Sequence, residues 1–64
     1  MNIIAKNETT LILEDDGKHY ALETRTGKIR EIKLDSYLKF CPYTREYKGT
    51  EEEQKYAQEQ FNKR

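Results

Sequence analysis

Cysteine is almost missing from this sequence: Cys41 stands alone among 64 residues. A single thiol excludes an intrachain disulfide and suits a reducing compartment, so a cytoplasmic chain is expected. It also leaves no Cys/His zinc set, because such a site takes about four ligands and the chain offers one Cys and one His, 22 residues apart. The glycines, Gly17, Gly27 and Gly49, are scattered, which excludes a phosphate-cradling glycine loop. Ser36 is the only serine and sits in no nucleophile elbow. Long apolar runs are lacking too. No run is longer than Leu11-Ile12-Leu13, far short of the roughly 20 residues that span a bilayer. The segment Met1–Lys6 has neither the basic nor the long apolar region of a secretion signal.

An excess of one charge is the last absence. Twelve basic and twelve acidic residues give a formal net charge of +0. A non-specific nucleic-acid binder needs surplus Lys and Arg to displace counterions, and an acidic DNA mimic needs the reverse. The halves 1–34 and 35–64 each carry six basic and six acidic residues, so neither is a charged tail. Only a finer window is biased: Lys28 to Lys48 holds six basic against three acidic residues. At 34% hydrophobic residues the core is lean, and a partner surface would add burial that so short a chain lacks.

What is present begins with strands. Ile3-Ile4-Ala5 reads as a short edge strand, with Asn7-Glu8 turning the chain after it. Thr9 to Glu14 has strand composition. Asp16-Gly17 then marks a two-residue type I′ hairpin turn. That turn sets the register: Leu13 faces Tyr20 and Leu11 faces Leu22 on a dry face. On the other face Glu14 meets His19, Ile12 meets Ala21 and Thr10 meets Glu23. Thr26-Gly27 predicts a second reversal and Lys28 to Leu34 a third strand of the meander. There Ile29 and Ile32 differ in parity. A bulge near Arg30-Glu31 would bring them to one face, and helical spacing is the competing reading. Asp35-Ser36 can cap a helical turn through Phe40, which Pro42 stops. Residues 42–49 read as a connector. Thr50 and Glu53 make a capping box for a helix to Arg64, with acidic residues at its start and basic ones at its end. Its apolar stripe is thin: Ala57 and Phe61, with Tyr56 beside them. The fold expected for residues 1–64 is therefore a single α+β domain. It comprises a small antiparallel β-meander of three to four strands over 1–34, a helical turn and connector over 35–49, and a C-terminal helix over 50–64.

Candidate chemistry is sparse. His19 opposite Glu14 has the parts of a general base but no nucleophile near it, and a cross-strand contact explains the pair. Cys41 reads as a small buried hydrophobe. Asp15 and Asp16 are what a tight turn prefers, although a pair of carboxylates can also hold magnesium. Glu51, Glu52 and Glu53 match the helix dipole. No catalytic residue, metal site or cofactor is assigned. Aromatics are the exception. Tyr37, Phe40, Tyr43 and Tyr47 fall within eleven residues, interleaved with Lys39, Arg45 and Lys48. Tyr and Arg among them suit a protein interface, and basic residues beside aromatic platforms suit single-stranded nucleic acid. Closing the core is the plain alternative for some of these rings.

The expectation is a non-enzymatic binding protein that modulates or inhibits a protein partner stoichiometrically. Its contacts would come from Tyr37, Phe40, Tyr43, Arg45, Tyr47 and Lys48. A nucleic-acid-binding module using segment 37–48 is the second reading. No membrane association is expected, and a homodimer is compatible with the composition. Short, highly charged, free-standing chains of this kind are common among phage and mobile-element regulators and inhibitors.

Overall fold

A computed structural model describes all 64 residues. Five strands and two helices follow one another as β1 (Asn2–Lys6), β2 (Thr10–Asp15), β3 (Lys18–Glu23), β4 (Ile29–Ile32), α1 (Leu34–Phe40), β5 (Arg45–Glu46) and α2 (Glu51–Lys63). The strands form one antiparallel sheet in the order β4-β3-β2-β1-β5, so the α+β meander with a short helix and a C-terminal helix is realised.

The β2–β3 hairpin has the register its turn dictates. Asp16 and Gly17 both have positive φ, at 53° and 77°, as a type I′ turn requires. Leu13 lies opposite Tyr20, Leu11 opposite Leu22, and Ile12 opposite Ala21. Ile3, Leu11, Leu13, Tyr20 and Leu22 project to one face. There they pack with Ala57 of α2, and Tyr56, Phe61, Ile29 and Tyr47 seal the rim. The thin stripe of α2 suffices because Ala57 lets the helix approach closely while Phe61 meets Tyr20 edge-on at 5.1 Å.

The opposite face is not the wet one. Ile12 is wholly buried and Ala21 nearly so, although both point away from α2. The element that crosses this face is α1. It leaves β4 at one margin of the sheet and delivers the chain to β5 at the other. Its Tyr37 reaches the far side, where the hydroxyl accepts a hydrogen bond from Asn7 Nδ2 at 2.8 Å. Leu11-Ile12-Leu13 is continuous in hydrophobicity because the middle of the sheet is covered on both sides.

Several local expectations are corrected. Strand β4 pairs with β3 without any register shift, so no bulge lies near Arg30-Glu31 and the segment is not helical. Ile29 faces the α2 core opposite Leu22, and Ile32 faces the α1 side opposite His19. Strict alternation suits a strand with an apolar neighbour on each face. The bulge lies instead in β1, where pairing passes from Ile3–Leu13 directly to Ala5–Ile12 and leaves Ile4 unpaired with β2. Nor is β1 an edge strand, since β5 adds to its outer side: Ala5 pairs with Glu46, and the Tyr47 amide donates to the Ile4 carbonyl at 3.1 Å. Helix α1 begins one residue before the expected cap. Lys33 takes the N-cap position without a side-chain bond, and Asp35 falls in the first turn. Thr50 and Glu53 do form the capping box of α2.

Candidate functional site

Large exposed apolar side chains occur only from the end of α1 to the turn before β5. Phe40 is 88% exposed, Tyr43 63% and Leu38 38%. A monomeric domain has little reason to leave a Phe so bare, whereas scattered single Leu residues are ordinary. Phe40 ends α1, and the Cys41 amide closes that helix on the Tyr37 carbonyl at 2.8 Å. Pro42 then occupies the second position of a tight turn, which Thr44 closes by donating to the Cys41 carbonyl at 3.0 Å. Tyr43 sits at the third position and is carried outward. Its hydroxyl rests 3.7 Å from Cys41 Sγ, and that contact pushes the phenol above its ordinary pKa. Cys41 is thus half-buried beside a surface tyrosine, not a core filler as expected.

Asn7 pins this loop, and sequence reasoning gave it no part beyond turning the chain. Its Oδ1 accepts from the amides of Thr9 and Thr10, both at 3.1 Å, which fixes the β1–β2 turn. Its Nδ2 then donates to the Tyr37 hydroxyl at 2.8 Å and to Thr44 Oγ1 at 3.2 Å. One amide group thereby ties both sides of the exposed loop to the sheet. The signal available was slight: an Asn ahead of two threonines forms such a turn through its oxygen, and this leaves two N–H donors free for a distant partner.

The six residues singled out in the sequence divide into two groups. Tyr37 and Tyr47 are half-buried and serve the fold. The Tyr47 ring packs on the core, with Lys6 Nζ 4.0 Å from its centroid. Its hydroxyl donates to Glu53 Oε1, which also accepts from the Thr50 amide at 2.9 Å. That phenol is raised above its ordinary pKa by the bond to Glu53, and the Glu53 carboxyl is lowered by the same bond and by the Thr50 amide. Phe40, Tyr43, Arg45 and Lys48 are exposed. Tyr43 and Arg45 stand together beside a cleft of about 350 Å³, whose other walls are Lys6, Asn7 and Glu8. Leu38, Phe40 and Tyr43 are thus exposed within six residues of chain, with Lys39 among them and Arg45 beside Tyr43.

No group of three or more His, Cys, Asp or Glu side chains comes together in ligating geometry, and no helix is long and apolar enough to cross a membrane. Comparison with family models, with curated proteins and with solved structures finds no match to this chain.

Proposed function

We propose that the protein is a stoichiometric binding protein, without catalysis of its own, that docks on another protein through Leu38, Phe40 and Tyr43, with Arg45 at the rim. The observation that carries this reading is the concentration of all the large exposed hydrophobics within residues 38–43. Aromatic anchors on a braced loop bind well because little side-chain freedom is lost on docking. The loop is braced at both ends by Asn7. The fitting partner surface is an apolar pocket with an acidic border, facing Lys39 and Arg45. Base stacking has less to work with, since Tyr37 and Tyr47 are half-buried in the fold and only Phe40 and Tyr43 present exposed rings.

The test compares the wild-type chain with the Phe40→Ser/Tyr43→Ser variant as affinity baits in extract of the source cell. Both side chains are exposed, so the variant should melt as the wild type does. A protein captured by the wild type and lost from the variant, with nuclease treatment making no difference, is the expected result. Equal capture by both refutes the site. Capture abolished by nuclease replaces the reading with nucleic-acid binding.

A further inference from the structure

The two margins of the sheet differ. At one, β5 is only two residues long. At the other, β4 has no neighbour beyond it. The Glu23 amide donates to the Lys28 carbonyl at 2.9 Å, which makes these two a hydrogen-bonded pair of the antiparallel ladder. Alternation along the ladder then makes Ala21–Arg30 and His19–Ile32 the next such pairs. The N–H and C=O groups of Ile29 and Glu31 therefore point away from the sheet.

A groove of about 540 Å³ wraps this margin, and its walls come from both faces of the sheet. Lys28 and Arg30 stand on the α1 side, while Lys63 and Arg64 come from the end of α2. Glu23 is the single acidic residue in the lining. Arg64 is held in place, its guanidinium 4.1 Å from the Phe61 ring and 5.0 Å from that of Tyr20. Lys63 contacts Glu59 at 3.7 Å, but both side chains are well exposed and compete weakly with a bound anion. No aromatic residue lines the groove, so nucleobases would find no stacking platform there.

We propose that the β4 margin binds an acidic extended peptide segment as a sixth, edge-added strand. The outward groups of Ile29 and Glu31 supply the main-chain hydrogen bonds. Cations on both faces supply the selectivity, because successive side chains of an added strand point to opposite faces, toward Lys28 and Arg30 on one and toward Lys63 and Arg64 on the other, where the two cations outweigh Glu31 of β4. This site is independent of the Phe40–Tyr43 surface. The two lie toward opposite margins of the sheet, with three strands between β4 and β5.

A fluorescein-labelled short peptide of Glu, Asp and Val is titrated into the full chain by fluorescence polarisation, beside a counterpart with Lys at each acidic position. The acidic peptide should bind and its counterpart should not. Arg30→Glu/Lys63→Glu should weaken binding about tenfold or more, the scale expected when like charges are juxtaposed across an interface. Glu31→Pro removes an outward N–H without breaking a ladder bond, a position where an edge strand tolerates proline, and should weaken binding likewise. Amide exchange gives a readout that does not depend on variants. The Ile29 and Glu31 amides should exchange fast in the free protein and slow down with peptide, while those of Arg30 and Ile32 are slow in both. Failure of the acidic peptide to bind, or binding that leaves the Ile29 and Glu31 amides unprotected, overturns the proposal. So does an oligothymidylate that displaces the peptide and binds more tightly than it.

Discussion

Two glycines allow the backbone and packing costs of one added methyl to be separated. Gly17 and Gly49 share the left-handed region, with φ of +77° and +78°. A Cβ there costs roughly 1–2 kcal/mol in either residue, because it crowds the following carbonyl. Their surroundings differ. A Cβ on Gly17 would meet nothing within 4 Å, whereas one on Gly49 would lie 2.6 Å from Ile3 Cδ1. Ile3 is a buried core residue, so it cannot swing into solvent to make room. Overpacking of this kind costs about 1–3 kcal/mol more. Gly17→Ala should therefore lose about 1–2 kcal/mol and Gly49→Ala about 2–5 kcal/mol. A chain of 64 residues holds only about 3–10 kcal/mol in total, so the second loss is a large share of it. Urea denaturation at neutral pH, followed by circular dichroism, measures both. Each kcal/mol should also lower the melting temperature by about 4–8 °C in a domain of this size. Equal midpoints for the two variants would show that Ile3 is free to move, and would refute the tight join between the α2 approach and β1.

The capping network predicts a pH dependence. Glu53 has a depressed pKa in the fold, so its contribution is present above the unfolded carboxyl value of about 4.3 and is lost as pH falls through the lower folded value. Glu53→Gln should flatten the acid side of a melting-temperature profile below about pH 4.3, and an unchanged acid limb would refute the Tyr47–Glu53–Thr50 linkage. Ile12 tests the two-sided burial of the sheet. Because it is sealed on the face away from α2, Ile12→Ala should cost about 2–5 kcal/mol in chemical denaturation. A loss near zero would mean that α1 does not cover that face.

Legibility of the fold followed the range of the interactions. Asp16-Gly17 fixes its own geometry, and every cross-strand pair of the β2–β3 hairpin follows from it, so that register was readable. Thr50 and Glu53 act three residues apart and were equally plain. Long-range facts were harder. Ile29 and Ile32 looked like a fault in alternation only under the assumption of one dry face, and the second apolar face appears once α1 is seen to cross the sheet. Arg45-Glu46 carries no strand pattern of its own and is extended because Ala5 and Lys6 offer it a margin. The exposed hydrophobics fall within the segment that the sequence singles out, but the sequence could not divide its tyrosines. Tyr37 and Tyr47 are anchored by Asn7 and Glu53, partners 30 and 6 positions away, while Tyr43 is turned outward by Pro42 in a tight turn.

The crossing of α1 also divides the contacts of the fold into local and distant ones. Strands β1 to β4 join by tight reversals, so their contacts are local and cheap in chain entropy. The ties made after the crossing are not: Asn7 to Thr44 closes 37 positions, and Gln54 to the Met1 carbonyl closes 53. The meander can therefore assemble from the first half of the chain, leaving Ile12 bare on one face and the Leu13–Leu22 cluster bare on the other. A single strap carrying α1, β5 and α2 crosses one face, passes the far margin and returns over the other. Phe40 and Tyr43 lie on the stretch between the two crossings, so the surface proposed for docking sits where the chain turns from one face of the sheet to the other.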